Sequence, residues 1–150
     1  MAPTDDTSPP ELHLDNQLCF SVYAAAHAFT QAYKPYLTPL GLTYPQYLVM
    51  LLLWEKDGRA VNELGQPLHL DSGTLTPLLK RMEKAGLVTR RRCDKDERVM
   101  RIHLTPAGRA MRDEAVHIPR NLLCDLQMTL PQLEGLRETL KSVGGQLRDK

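Results

Sequence analysis

Hydrophobic positions recur at helical spacing through most of this chain. Over residues 12–33 the apolar side chains Leu14, Leu18, Val22, Ala25 and Phe29 fall three and four apart, which predicts a long first helix. Pro35 disturbs its end, and Pro39 with Gly41 marks a short connection. A second helix is predicted over 43–54: Thr43 and Gln46 stand in capping-box relation, Pro45 occupies the tolerated first turn, and Gly58 ends the segment. Residues 61–69 read as a short third helix. A fourth opens at Asp71 or Ser72, either of which can cap it, and carries Leu75, Leu78, Leu79 and Met82 on one face before Gly86. Pro77 removes one backbone hydrogen bond there, which predicts a slight distortion without a break.

The period then changes. Residues 87–92 and 99–104 are short runs separated by a block of charge at 93–98, and they read as two strands of a hairpin. Thr105 and Pro106 look like the cap and first residue of a helix reaching about residue 127, kinked at Pro119. Thr129 and Gln132 repeat the capping-box spacing, and Leu133, Leu136, Leu140, Val143 and Leu147 then form a narrow apolar seam. The expected fold is mainly α with a small β-hairpin wing: a winged helix-turn-helix whose N- and C-terminal helices form a dimerisation domain. The expected division is a flexible arm at 1–11, a helical dimerisation region at 12–42 and 106–150, and a winged helix-turn-helix at 43–105. A leucine seam can pack on its own core or on a twin subunit. Helix-turn-helix proteins commonly read two half-sites through two-fold symmetry, which favours a homodimer.

Charge adds a partner to this picture. Between Lys80 and Arg101 stand nine lysines and arginines against four acids, a local net of +5 in a chain of net +1. Such concentration in one supersecondary unit suits phosphate, with counterion release favouring binding. A charged hairpin alone can equally be a solvated surface. The fourth helix tips the balance to double-stranded DNA, because opposite its leucines it carries Gly73, Thr76, Pro77, Lys80 and Lys84. Ser72, Thr74 and Thr76 are then expected near base edges or phosphates, Lys80 and Arg81 near the backbone, and Arg90 and Arg91 in the basic wing.

Composition narrows the class further. The longest apolar run, 47–54, is too short to span a bilayer, and the polar, acidic, proline-rich start resembles neither a secretory signal nor a transit peptide. A cytoplasmic protein with no membrane partner is expected. Cys19, Cys93 and Cys124 are odd in number and far apart, and the five histidines show no ligand spacing, so neither a metal site nor a cofactor is expected.

The cysteines differ in setting. A thiol on an apolar helix is usually a packed small side chain. Cys19, however, lies near a helix start, where the macrodipole favours a thiolate, with Tyr23 one turn away. Tyr33, Tyr36, Tyr44 and Tyr47 crowd into a short stretch; they could form an aromatic-lined pocket or ordinary interface packing. Cys93 sits beside Arg91 and Arg92 in the wing with no pocket residues near it in sequence, and reads as an incidental wing residue or an adventitious oxidation site.

The segments DSGTLTPLLKRMEKAGLVTRRR and DERVMRIHLTPAG resemble the DNA-binding core of the MarR family of winged-helix repressors. LDNQLCFSVYAA, YKPYL and LTYPQYLVMLLLWE are similar to its organic hydroperoxide resistance repressors. The likeness runs from about Leu14 to Pro119. It implies that Cys19 is the peroxidatic cysteine, hydrogen-bonded by Tyr33 and Tyr44 of the other subunit, in a pocket with Phe20, Tyr23, Tyr36 and Tyr47. It also implies the two-cysteine subclass, with Cys124 resolving the oxidised Cys19 across the dimer, and an organic hydroperoxide as inducer. In the wing it implies that Arg98 enters the minor groove, its guanidinium oriented by Asp96; a simple loop salt bridge is the plainer account of that pair.

Three function classes follow. A redox-sensing repressor accounts for the DNA unit, the seam and Cys19 together. A non-redox repressor released by an aromatic small ligand accounts for all but the placement of Cys19. A thiol peroxidase leaves the recognition helix without a purpose, so the chain is expected to be a regulator and not an enzyme.

Overall fold

The computed structural model describes residues 8–150; most of the arm expected at 1–11 lies outside the described residues. The elements are α1 (Leu18–Leu37), α2 (Tyr44–Glu55), β1 (Arg59–Ala60), α3 (Val61–Leu68), α4 (Ser72–Lys84), β2 (Val88–Arg92), β3 (Met100–Leu104), α5 (Pro106–Ala115), α6 (Ile118–Asp125) and α7 (Leu130–Arg148). The chain divides into two compact units, Met1–Arg112 and Asp113–Lys150. Among the described residues no helix is long and apolar enough to cross a membrane.

The first unit is a winged helix. Its core is assembled from the faces that the periodicity marks: Met50 and Leu53 of α2, Leu64 of α3, Leu75, Leu79 and Met82 of α4, and Val88 and Ile102 of the sheet are essentially inaccessible. The Thr43–Gln46 capping box is formed, and the Asp71 carboxylate accepts the Thr74 N–H at 2.7 Å to start α4. At the other end of α4, Gly86 takes the left-handed φ of 77°; the Leu87 N–H bonds the Met82 carbonyl and the Gly86 N–H that of Glu83. This pair of bonds closes the helix and turns the chain directly into β2. Pro77 leaves α4 continuous, as expected.

Four expectations need correction. The first helix begins at Leu18, six residues late, because Asn16 and Gln17 spend their amides on the carbonyls of Pro10, Glu11 and His13, holding two 3-10 turns ahead of it. It also passes through Pro35 to Leu37, since a proline forfeits its own donor but the bond of the Thr38 N–H to the Lys34 carbonyl survives. The wing contains a third strand: β1 pairs antiparallel with β3, giving the order β1-β3-β2. Two residues at Arg59–Ala60 are too few for a period-2 signal. The helix expected to kink at Pro119 is two helices, because proline cannot donate to Ala115 but fits the first turn of a new helix, where it stands in α6.

The long helices are poorly covered. No residue of α1 from 18 to 32 is buried, although Leu18, Phe20, Val22 and Phe29 lie there. In the second unit the buried side chains are Ala115, Ile118 and Leu122. The Thr129–Gln132 capping box starts α7, but no residue of α7 is buried, and Leu136, Leu140 and Leu147 of its seam are exposed.

Candidate functional site

The recognition helix presents two opposed faces. With Leu75, Leu78, Leu79 and Met82 anchored in the core, Ser72, Thr74, Lys80 and Arg81 are exposed and Thr76 is half-buried. A cleft of about 720 Å³ separates this helix-turn-helix from the wing, lined among others by Val61, Gln66, Leu70, Ser72, Arg98 and Met100. One residue proposed for DNA from the helix, Ser72, and one from the wing tip, Arg98, therefore border the same concavity.

In the wing, Arg98 projects almost wholly into solvent, its side chain 92% accessible. The Asp96 carboxylate accepts from the Arg98 backbone N–H and Nε at 3.1 Å each, and from Nη2 at 3.4 Å. These donors hold the Asp96 carboxyl below its usual pKa. One side chain is thus pre-oriented by another two positions away, which lowers the rotamer entropy it would lose on contact. Arg90 departs from expectation. Its backbone N–H and Nε both donate to Glu83, at 3.0 and 3.1 Å, and they hold that carboxyl below its usual pKa. Arg90 clamps β2 to α4; it stiffens the unit and is not a free cation. Glu83 was invisible as its partner, because a helix-to-strand pairing leaves no fixed spacing in sequence. Arg92 donates to the Glu97 carbonyl and Arg101 to that of Gly58. The side chains of Lys80, Arg81, Lys84 and Arg91 make no hydrogen bond or ion pair among the described residues.

The aromatic residues divide. Tyr33 and Tyr44 pack with ring centroids 4.9 Å apart and planes tilted by 45°, with Tyr47 at 5.6 Å from Tyr33. Tyr47 was expected to line a pocket; it is 1% exposed and packs in the core edge-on against Trp54, at 6.5 Å, so it backs the pair from behind. Burial pushes the Tyr33 phenol up to about 12, with Tyr44 and Tyr47 adding to it, and burial raises Tyr44 too. Both phenols stay protonated, and can donate, throughout the neutral range. Tyr36 is half-buried on the last turns of α1. Phe20 and Tyr23 are exposed at the other end of that helix, with Tyr23 stacked on His27 at 4.5 Å.

Cys19 stands in the first turn of α1 and is exposed. It lies fourteen residues before Tyr33 on one continuous helix, about 21 Å along its axis at 1.5 Å per residue. The tyrosine pair and the thiol of one chain are therefore not neighbours. Cys124 is exposed on α6 in the second unit, and Cys93 is half-buried at the end of β2. The described residues contain no group of three histidines, cysteines or acids able to hold a metal.

Residues 31–115 match the model of the SarA/Rot transcriptional regulators. An organic hydroperoxide resistance transcriptional regulator of Bacillus subtilis (strain 168) is 45% identical over 139 residues, 93% of this chain and 95% of its own length. Among solved structures, reduced AbfR bound to DNA superposes with a TM-score of 0.79 at 35% identity, covering 91% of this chain and 93% of that one. Disulfide-formed AbfR superposes with a TM-score of 0.65 at 39% identity, over 87% and 91%. With its winged helix, basic wing and long flanking helices, the chain belongs to the organic hydroperoxide resistance group of MarR-type winged-helix transcriptional regulators.

Proposed function

We propose that the chain is a redox-sensing repressor that binds operator DNA as a homodimer when reduced and leaves it when an organic hydroperoxide oxidises Cys19. The observation that carries this reading is the separation of Cys19 from Tyr33, roughly 21 Å along α1, which is uncovered from 18 to 32, with Tyr44 of α2 packed beside Tyr33. A pocket containing both needs α1 of a second chain running alongside. Dimerisation through 12–42 and 106–150 would bury the apolar residues that α1 and the α7 seam expose, at ~25 cal/mol per Å² of apolar surface. Relatives whose structures are described as reduced and DNA-bound, and as disulfide-formed, support the two states.

In the assembled pocket the Cys19 thiolate attacks the distal oxygen of the hydroperoxide. The O–O bond breaks, Cys19 becomes a sulfenic acid, and the alkoxide takes a proton to leave as alcohol. The protonated Tyr33 and Tyr44 donate hydrogen bonds to the thiolate, and Phe20, Tyr23 and Tyr36 supply apolar and aromatic surface to an organic tail. Cys124 of the other chain then attacks the sulfenic sulfur, expels water and leaves an intersubunit disulfide. That bond moves the subunits and so alters the spacing of the two α4 helices. Operator titrations with and without cumene hydroperoxide test the whole reading, and undiminished binding after oxidation would sink it. On non-reducing gels the oxidised protein is expected to run as a covalent dimer that vanishes in Cys124→Ser; a persistent dimer in that variant overturns the resolving role.

On the DNA, Ser72, Thr74 and Thr76 meet base edges or phosphates in the major groove, Lys80, Arg81 and Arg91 meet the backbone, and Arg98 enters the minor groove with Asp96 behind it. Arg98→Ala is expected to weaken operator binding by about 1–3 kcal/mol, measured by fluorescence anisotropy at matched salt. Unchanged affinity would remove Arg98 from the interface.

A further inference from the structure

The face of the wing sheet turned away from α4 carries a charge arrangement of which the DNA reading uses only Arg91. β2 and β3 pair in a register that sets Arg91 directly across from Arg101 and Thr89 across from His103. Like charges directly opposite on one face are destabilising. Arg90, between Thr89 and Arg91, projects to the other face, where it meets Glu83 on α4. Around the two arginines is a pocket of about 570 Å³, lined also by Arg92, Lys95 and His103, with Asp94 as the one carboxylate of its lining. A concavity with four permanent cations and one acid favours an anion of more than one charge.

The pocket also holds a nucleophile. Cys93 is anchored at the end of β2 by its backbone N–H to the Val99 carbonyl at 2.8 Å, and its side chain lines the same cavity. The nearby backbone N–H groups of Lys95 and Asp96, and then the Arg101 guanidinium, favour the thiolate and draw the thiol below its ordinary pKa. Half-burial leaves the sulfur reachable.

We propose that this pocket captures anionic low-molecular-weight disulfides and that Cys93 exchanges with them, so that the wing carries a second thiol input independent of Cys19. The Cys93 thiolate attacks one sulfur of the incoming disulfide and its S–S bond breaks. The departing thiolate leaves with the electron pair, and a mixed disulfide remains on Cys93. Cys93 is oxidised, the released thiol is the reduced product, and no other oxidant is needed. The exchange stands apart from the operator reading; only its consequence, a net negative group placed in a basic wing, depends on it.

The test uses the full chain carrying Cys19→Ser and Cys124→Ser, which leaves Cys93 as the sole thiol. Mass spectrometry follows its exchange with glutathione disulfide (anionic), 2-hydroxyethyl disulfide (neutral) and cystamine (cationic). Each rate is divided by that of N-acetylcysteine amide under the same conditions. At low salt the normalised rates are expected to fall in that order, spanning on the order of tenfold or more. The span should collapse in Arg91→Gln, and in ~1 M salt, where the screening length is about 3 Å. A flat or reversed order, or an order untouched by both Arg91→Gln and Lys95→Gln in folded protein, overturns the proposal.

Discussion

A Cys19→Ser protein is expected to bind operator as tightly as the reduced wild type and to keep holding it in excess cumene hydroperoxide, where the wild type lets go. The substitution is nearly isosteric and the site is exposed in the single chain, so little packing is at stake. What disappears is the only atom at that position able to take an oxygen, because a serine hydroxyl has no sulfenic state. Allosteric coupling between two sites is typically about 1–3 kcal/mol, which sets a loss of 5- to 150-fold in wild-type affinity on oxidation and none in the variant. Operator anisotropy with and without peroxide measures both. Release of the variant by peroxide would place the sensor elsewhere. Release by an aromatic acid in both proteins, without peroxide, would instead favour a ligand-responsive repressor. Glutathione disulfide should still react at Cys93 of the Cys19→Ser chain, as peptide mapping would locate it.

The second large effect is structural. Gly108→Ala is expected to destabilise the protein by about 3 kcal/mol or more, a fall in Tm of roughly 6–12 °C, above the usual range for an added methyl group. A Cβ at Gly108 would sit 2.2 Å from the Leu87 carbonyl oxygen and 3.3 Å from Leu104 Cδ2. The obstacle is backbone and already committed, since the Leu87 oxygen accepts the Thr105 N–H at 3.0 Å, and the Thr105 hydroxyl holds the adjacent Gly86 carbonyl at 2.6 Å. The neighbourhood cannot shift cheaply, because Trp54 Nε1 donates to the Gly108 carbonyl at 2.9 Å. Gly135→Ala on α7, with nothing within 4 Å of the new methyl, is the control and should be neutral or stabilise by up to ~1 kcal/mol. Equal melting temperatures for the two variants would show that the approach of α5 to Leu87 is not as close as described.

Much of this architecture was legible because it repeats with a period. Four leucine and methionine positions on α4 predicted its buried face, and Thr43, Asp71 and Thr129 marked helix starts at their caps. The misses share a cause. The start of α1 was set by side-chain amides closing turns onto distant carbonyls, β1 by pairing with a strand more than forty residues away, and the break before α6 by where a proline falls relative to the preceding helix. None of these is a local pattern of apolar positions. The site shows the same division. Asp96 and Arg98, two residues apart, could be paired from sequence, whereas Arg90 looked like a free cation until Glu83 came across from α4. Tyr47 looked equivalent to Tyr33 and Tyr44; only packing separates a core residue from an accessible donor.

The length of α1 has a genetic corollary. With Cys19 and Tyr33 toward opposite ends of α1, the proposed dimer would make each sensing centre the joint property of two chains. A cell that expresses one copy lacking Cys19 and another lacking Tyr33 would assemble some mixed dimers with one complete centre, so that two defective alleles restore a response neither supports alone. By the same logic, a single defective allele would dilute the function of a good one.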